Sequence, residues 1–190
     1  MSSFFAMLAR MKYIDRWGLM NNTRTENISE HSLETAMLAH ALVTIANVRF
    51  GEQLDADRAA VIGMFHDASE IITGDMPTPV KYYNPAIRNA YKEVERVAED
   101  RLVEMLPEEL RDTYRPLISC GDAVLLRYVK AADKLSALIK CIEEVRMGNN
   151  EFNKAKSATE QSLREMQLPA LGVFMEEYLP AYELTLDELG

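Results

Sequence analysis

The segment FHDASE, residues 65–70, places a histidine, two carboxylates and a serine in a stretch whose surroundings predict a core helix. Residues three and four apart share one face of an α-helix, so His66 and Asp67 are both expected near Glu70. A His-Asp pair by itself is a weak signal that depends on its context. The segment therefore indicates a chemical site only if other ligand-type residues join it in the fold.

Two distant residues supply that context. His31 stands at a predicted helix start in NISEHS, and Asp133 lies inside the apolar helix VKAADKLSALIK. An unpaired carboxylate in such a helix is costly, so Asp133 needs a metal ion or an arginine as its partner. Two imidazoles and two carboxylates can bind one divalent cation and leave positions open for water or substrate. The predicted ligand set is His31, His66, Asp67 and Asp133.

The third histidine tests this interpretation. His40 follows His31 by nine residues, which puts it on the opposite face of a helix with 3.6 residues per turn. We therefore interpret His40 as structural, and with three histidines in the chain a second metal is hard to build. The alternative to a metal site is that the histidines are hydrogen-bonded core residues and the aspartates are ordinary surface acids. This alternative explains any one of the four residues well, but it explains the four together poorly.

The apolar pattern around these residues predicts one all-α domain over residues 1–190, with no segment that alternates as a strand would. Capping residues and glycines mark the ends of the elements. The predicted helices lie within residues 1–17, from Ser29, from Asp55 to Gly74, from Asn84-Pro85, after Pro107, from Asp122 to Gly148, and near 151–167 and 169–179. The predicted buried faces include Leu33, Ala36 and Met37 on the second helix, Val94, Val97 and Leu102 on the fourth, and Leu125, Leu135 and Ile142 on the helix that carries Asp133. The intervening GDMPTP predicts a rigid loop.

Composition narrows the class of function. The chain has 190 residues, of which 48% are apolar and 27% charged, enough for one globular domain with a sizeable core. A net charge of −9 without a basic run argues against nucleic-acid binding. The N-terminal apolar run is too short for a signal peptide or membrane span, and Cys120 and Cys141 lack metal-ligand spacing. We therefore expect a cytoplasmic protein with no nucleic-acid or membrane partner.

The order His31, His66-Asp67, Asp133 on separate helices resembles the metal-binding signature of the HD-domain phosphohydrolases. Longer segments resemble the bacterial 5'-deoxynucleotidases of the YfbR type, namely RWGLMNNTRTENISEHS (16–32), FHDASEIITGDMPTPVKY (65–82), KAADKL and GNNEF (148–152). The resemblance covers nearly the whole chain. It implies a single-domain HD-type helical bundle that hydrolyses deoxyribonucleoside 5'-monophosphates, uses a divalent transition metal such as Co²⁺ or Mn²⁺, and forms a homodimer.

The resemblance also implies roles for individual residues. Gly18 stands where we expect proline, a change that removes no functional side chain. By the resemblance, the metal ligands are His31, His66, Asp67 and Asp133, the acid/base residue is Glu70, and the substrate pocket contains Arg16, Trp17, Asp75 and Thr78.

Residue chemistry agrees with two of these roles. Glu70, one turn along from His66, is placed to take a proton from water or to return one to a leaving 5'-oxygen. The two carboxylate ligands neutralise the charge of the metal, so a doubly charged phosphate needs further positive charge. Arg16 can supply it with planar, bidentate donors. Lys81 and Lys134 are weaker phosphate-binding candidates.

Other roles stay open at the level of residue type. By residue type alone, Trp17 is better explained as a core residue than as the wall of a sugar or base site. The family resemblance favours the second role instead. Asp75 could cap the segment after Gly74, but the rigid MPTP that follows it favours a bond to a substrate hydroxyl. Arg24 could brace its loop against Glu26 or a neighbouring acid.

Two other classes of function stay open as alternatives. One is an HD-type phosphodiesterase or nucleotide polyphosphate hydrolase, against which the shortage of histidines and of basic patches argues. The other is a nucleotide-binding protein without catalysis, which the loss of Glu70 or of a metal ligand would have indicated.

Overall fold

The structure, a computed structural model, describes residues 1–81 and 83–190, and over these residues it contains helices and no β-strand. The all-α prediction is therefore confirmed. No helix in this part of the chain has the length and apolar character of a membrane span. The α-helices are α1 Phe4–Leu8, α2 Ile28–Phe50, α3 Ala56–Phe65, α4 Glu70–Thr73, α5 Thr78–Lys81, α6 Pro85–Glu104, α7 Glu108–Ile118, α8 Ala123–Arg146, α9 Asn153–Glu165 and α10 Pro169–Glu177. The 3-10 helices are Ala9–Tyr13, Asn150–Phe152, Leu179–Glu183 and Leu186–Glu188.

The main core lies where α2, α3 and α8 pack together, and α9 and α10 close it on one side. Leu42, Ile62 and Leu135, one from each of the three central helices, are fully buried there. A smaller cluster joins α1 to α6 and α7, with Phe4 against Leu102. Burial of such side chains is the main favourable term in folding, so α2 and α8 form the frame on which the other elements are placed.

Three of the four predicted helix caps are confirmed. Asp55, Asn84 and Asp122 each accept hydrogen bonds from backbone N–H groups in the first turn of their helix. The prediction of Ser29 is wrong, because Asn27 caps α2 and accepts bonds from the N–H groups of residues 29 and 30 at 3.0 and 3.1 Å. The earlier start places His31 within the first turn of α2.

The predicted continuous helix through FHDASE is wrong, because residues 66–69 form a turn between α3 and α4. A bond of 3.0 Å from the Glu70 N–H to the Asp67 carbonyl tightens the chain here. Consecutive side chains of a regular α-helix point about 100° apart. The turn instead allows His66 and Asp67 to point toward one place, and the segment ends as predicted at Gly74, whose φ is 73°.

The predicted buried faces hold for α8 but are partly wrong elsewhere. Leu125, Leu135 and Ile142 are buried as predicted, whereas Leu33, Met37, Val94 and Val97 are exposed. On α2, Leu33 and Met37 keep 55% and 59% exposure. The buried face of α2 instead includes polar His31, Ser32 and Thr35. The prediction for α2 is thus right at Ala36 and wrong at Leu33 and Met37, and it missed the polar members of the buried face.

The contact between α2 and α3 depends on Gly63. A Cβ atom on this residue would lie 2.9 Å from the Ala36 Cα and 3.1 Å from its N, both of them backbone atoms. We expect Gly63→Ala to push the helices apart and cost about 1–3 kcal/mol, which lowers the melting temperature by roughly 3–10 °C. The control is Gly172→Ala in α10, where a Cβ meets nothing within 4 Å. A Gly63→Ala variant that melts with or above wild type in a calorimetric scan would contradict this account of the packing.

Candidate active site

The four predicted metal ligands come together from three elements. Ligand atoms of His31, His66 and Asp133 all lie within 4.8 Å of one another. The Nε2 atom of His31 lies 3.2 Å from Asp133 Oδ1 and 3.4 Å from Asp67 Oδ2. Asp67 Oδ2 is also 3.1 Å from His66 Nε2. The start of α2, the 66–69 turn and the middle of α8 thus supply one cluster.

Hydrogen bonds on the far side of each imidazole fix its orientation. Nδ1 of His66 donates to the Gly63 carbonyl at 2.7 Å. Nδ1 of His31 lies 3.0 Å from Ser136 Oγ, and that hydroxyl donates to Glu34 Oε2 at 2.5 Å. Since the hydroxyl proton goes to Glu34, the oxygen accepts from His31. In its neutral form each ring therefore carries the proton on Nδ1 and presents the lone pair of Nε2 to the cluster.

Ser136 and Glu34 were missed in the sequence. The signal for Ser136 was its position three residues after Asp133, which puts both on one face of α8. Glu34 had no comparable signal, because a glutamate on a long helix is most often a surface residue.

The donor set fits a divalent cation. Nε2 of His31, Nε2 of His66 and Oε2 of Glu70 are buried without a hydrogen-bond partner among the described residues. Such atoms are rare in folded proteins, and here three of them belong to one site. Two ligands bonded to one metal at about 2.1 Å lie roughly 3.0–3.4 Å apart, and the pairs His31–Asp133, His31–Asp67 and His66–Asp67 have such distances. Asp133 keeps 41% of its side-chain exposure, which leaves one side of the cluster accessible.

Electrostatics within the cluster are strong. Desolvation alone would lower the pKa of His66, but the Asp67 carboxylate outweighs it and raises the value to about 9. Desolvation would likewise raise the pKa of Asp67 and Asp133, yet the nearby imidazoles hold both below the usual value. The carboxylates are therefore ionised at neutral pH and available as ligands.

The pKa of Glu70 is shifted in the opposite direction from those of the two aspartates. Its side chain is buried, and burial, reinforced by the charges of Asp67 and Asp75, raises its pKa to about 9. Arg16 and Lys81 oppose this shift without cancelling it. A carboxylic acid that keeps its proton at neutral pH beside ionised carboxylates is the arrangement expected of an acid/base group.

Arg16 and Trp17 are both held by Glu26. The Glu26 side chain lies 3.7 Å from Arg16 Nε, and it accepts a hydrogen bond of 2.9 Å from Trp17 Nε1. Nη1 of Arg16 is buried without a hydrogen-bond partner among the described residues. Burial would lower the pKa of Arg16, but the charges of Glu26, Asp133 and Asp67 raise it. Glu26 is thus a further residue of the site.

A cavity of about 500 Å³ begins at Arg16. It contains all four residues expected in the substrate pocket, and Thr78 begins the short helix α5 at its rim instead of lying in a rigid loop. The opposite wall comes from α9, which the sequence gave no reason to select because its residues follow an ordinary amphipathic pattern. The α9 residues that sequence reasoning missed are Lys154, Ala155, Ala158 and Thr159, and Glu151 of the preceding 3-10 helix, in the GNNEF segment, also lines the cavity.

Several other candidates lie elsewhere. Lys81 forms an ion pair of 2.7 Å with Glu95 of α6, and Lys134 is not among the described residues that line the cavity. Arg24 is exposed and lies 3.5 Å from Glu30, the neighbouring acid of the prediction. His40 lies on the surface, 3.4 Å from Asp57 and outside the cluster.

Solved structures share this fold. An HD-domain phosphohydrolase from Listeria innocua matches with a TM-score of 0.83 and 22% identity, covering 95% of this chain and 88% of its own. The cyanophage S-2L HD phosphohydrolase DatZ, solved with dA and one catalytic Zn²⁺, matches with a TM-score of 0.69 and 18% identity over 95% of this chain and 96% of its own. This chain thus has the fold of these two solved HD-domain phosphohydrolases.

Sequence comparison narrows the class. The family model described as 5'-deoxynucleotidase YfbR-like matches residues 3–182. A 5'-deoxynucleotidase of Erwinia tasmaniensis is 50% identical over 191 residues, which cover 100% of this chain and 96% of the relative. The chain belongs to the YfbR-like 5'-deoxynucleotidase family.

The raised pKa of Glu70 gives a pH-dependent stability test in metal-free protein. Between the ordinary value of 4.5 and about 9 the folded state holds a proton that the unfolded state releases, so stability falls as pH rises through this window. Glu70→Gln has no proton to lose. We expect the variant to melt at least about 2 °C above wild type at pH 8, an effect of about 1 kcal/mol, and to lose this advantage near pH 4.5.

The matched control is Glu176→Gln, which removes a glutamate from the exposed surface of α10. Differential scanning calorimetry in the presence of a chelator checks both variants. Equal or lower stability of Glu70→Gln at pH 8 would show that the acid is not strained by its surroundings.

Proposed function

We propose that the protein hydrolyses deoxyribonucleoside 5'-monophosphates to the deoxyribonucleoside and phosphate with one divalent cation. The observation that carries the proposal is the cavity of about 500 Å³ lined by Arg16, whose pKa the charges of Asp133 and Asp67 also raise. A phosphate held at Arg16 would lie at the cluster, with sugar and base in the cavity. The names of the family and of its Erwinia relative, and the dA and Zn²⁺ of the cyanophage protein, support the same reaction.

His31, His66, Asp67 and Asp133 would hold the cation. When bound, a divalent cation supplies a Lewis acid that lowers the pKa of water and polarises a phosphoryl oxygen. The protein contributes the orientation of both imidazoles and the ionised state of both carboxylates, for the reasons given above. Because the cluster is accessible on the Asp133 side, a phosphate and a water molecule can approach it together.

Glu70 would move the protons of the reaction. Water attacks phosphorus, the bond from phosphorus to the 5'-oxygen breaks, the water gives up a proton, and the leaving oxygen gains one. The buried Oε2 of Glu70 is free of protein partners among the described residues, so it can make both exchanges. Its burial keeps bulk water from competing for that proton.

Arg16 would bind the phosphate, because its buried Nη1 has no partner in the described protein and an arginine fork matches phosphate oxygens. Trp17 would form a flat wall beside the sugar, and Asp75 would accept a hydrogen bond from a sugar hydroxyl. Thr78 would lie at the rim beside them. All four line the same cavity, which is the support for these assignments.

Three finer properties belong to the proposal. Mixed nitrogen and oxygen ligands favour a transition metal such as Co²⁺ or Mn²⁺ over Mg²⁺. Exposed Leu33 and Met37 on α2, together with Met64 on the adjacent α3, support a homodimer, which a sedimentation mass of one 21.6 kDa chain would contradict. Unpaired Cys120 and Cys141 support a cytoplasmic location, which recovery from an extracytoplasmic fraction would contradict.

Phosphate release tests the reaction. Metal-stripped protein is incubated with dAMP, AMP or a cyclic dinucleotide, and Co²⁺, Mn²⁺, Zn²⁺ or Mg²⁺ is added separately. We expect release from dAMP with a transition metal, much less from AMP, and none from the cyclic substrate. Glu70→Gln is expected to lower kcat by about 10²–10⁴-fold, the usual contribution of a general acid/base.

Each outcome separates one reading from the others. Equal rates with dAMP and AMP would contradict deoxy specificity, and cleavage of the cyclic dinucleotide would favour a phosphodiesterase. If no substrate releases phosphate and Glu70→Gln behaves as wild type, the protein binds nucleotides without catalysis. Glu176→Gln serves as the control for the change of charge.

A further inference from the structure

The loop of residues 17–26, here called the substrate loop, carries Trp17 into the cavity but lacks a regular structure of its own. Trp17 has a φ of 60°, in the left-handed region that costs a bulky residue of this kind free energy. Such a conformation persists only where the surroundings enforce it. The packing partners of the loop are therefore part of how the pocket is built.

One buried carboxylate binds the middle of the substrate loop. Glu144 of α8 is 1% exposed and accepts hydrogen bonds from the backbone N–H groups of Thr23 at 2.9 Å and Arg24 at 3.2 Å. It also accepts a bond of 2.8 Å from Asn149 Nδ2. Burial would raise the pKa of Glu144, but these donors and Lys140 hold it far below its usual range. The carboxylate is ionised and fully used in holding the chain.

Lys140 completes this contact. It is buried one turn before Glu144 on α8, forms an ion pair with it, and donates a hydrogen bond of 2.5 Å to the Arg24 carbonyl. A buried lysine and a buried glutamate are each costly alone, and here each compensates the other. Both groups also bond to backbone atoms of the loop, so the pair does more than neutralise itself.

The contact extends to Trp17. Lys140 Nζ lies 5.8 Å from the centre of the Phe152 ring, which is fully buried and 5.3 Å from the ring of Trp17. Asn149 Nδ2 donates to the Asn21 carbonyl at 2.8 Å as well as to Glu144. The loop is thus fixed from its middle and from beneath its tryptophan.

One face of α8 carries both the metal ligand Asp133 and the residues that contact the substrate loop. Asp133, Ser136, Lys140 and Glu144 follow one another at three- and four-residue steps, which align on one side of an α-helix. The ligand and the loop contact lie about 16 Å apart along this rigid element. Of these four residues, the sequence analysis selected only Asp133. Lys140 and Glu144, at the other end of this face of α8, belong neither to the ligand set nor to the proposed mechanism.

We propose that Glu144 and Lys140 are positioning residues that hold the substrate loop, and with it Trp17, against the cavity. The pair acts through the loop and contacts neither the cation site nor the cavity. Its effect on substrate rests on the proposed function, whereas its effect on the position of Trp17 does not.

The single tryptophan of the chain makes the test direct. Trp17 fluorescence and its quenching by acrylamide are measured in metal-free wild type, Glu144→Gln and Glu143→Gln. Glu143 is the neighbouring, less buried glutamate of α8 and loses the same charge. We expect Glu144→Gln to increase the quenching constant about twofold, since a segment with fewer buried contacts opens locally, and Glu143→Gln to leave it unchanged.

A second variant keeps the test decisive if Glu144→Gln does not fold. Asn149→Ala removes one donor to Glu144 and the bond to Asn21 but leaves the ion pair in place, so we expect a smaller increase in quenching. Far-UV circular dichroism confirms that each variant is folded. If a folded Glu144→Gln, or Asn149→Ala where Glu144→Gln does not fold, quenches as wild type does, the proposal is wrong.

The preference for dAMP over AMP is a second measurement, and a general loss of stability would not change it. For Glu144→Gln we expect kcat/KM for dAMP to fall about tenfold and the preference for dAMP over AMP to shrink, as misplacement of a binding wall implies. The Mn²⁺ concentration for half-maximal activity should stay the same. A preference equal to that of wild type would contradict the proposal. Absence of activity in wild type would overturn the proposed function, and the quenching result would still decide the position of Trp17.

Discussion

The rest of the structure depends on bringing two carboxylates and two imidazoles together, with His–Asp pairs at 3.1, 3.2 and 3.4 Å. These groups must lie close enough to share one cation and must be held apart from competing partners. The close contact at Gly63 brings α3 onto α2, and the 66–69 turn lets two consecutive residues face one point. Ser136 and the Gly63 carbonyl then fix the proton on the far nitrogen of each ring.

Net charge explains why the surroundings of the cluster are as important as its ligands. A chain with a net charge of −9 repels an anionic substrate, so positive charge has to be concentrated where the phosphate is expected. Arg16 is the buried cation at that point, and Glu26 and the substrate loop hold it in place. The cavity walls come from three segments distant in sequence, which meet because α8 supports the loop at one end and the ligand cluster at the other.

The sequence predicted more of the site than of the local structure around it. The scarcity of histidines drew attention to His31 and His66, and the apolar helix around Asp133 drew attention to that carboxylate. The family resemblance added Arg16, Trp17 and Asp75. Sequence reasoning failed at the 66–69 turn, because a break that lets residues converge on a shared site leaves no signal in the spacing of apolar residues. On α2 it was right for Ala36 but took the exposed Leu33 as buried, and it missed that polar His31 and Thr35 are buried.

Residues that act through others were not predictable in the same way. Glu34, Glu26 and Glu144 are glutamates among the 30 acidic residues of the chain, and only their contacts distinguish them. Lys140 and Glu144 fit the amphipathic pattern of a surface ion pair at i and i+4, although both are buried. Tertiary contacts decide such roles, so a pattern in the sequence cannot.

The most direct test of the account is a crystal structure of protein loaded with Co²⁺, with the ion located by its anomalous scattering. We expect one peak per chain, about 2.0–2.2 Å from Nε2 of both histidines and from a carboxylate oxygen of Asp67 and of Asp133. Two ions in the site, or one ion that leaves Asp133 or either histidine uncoordinated, would contradict it.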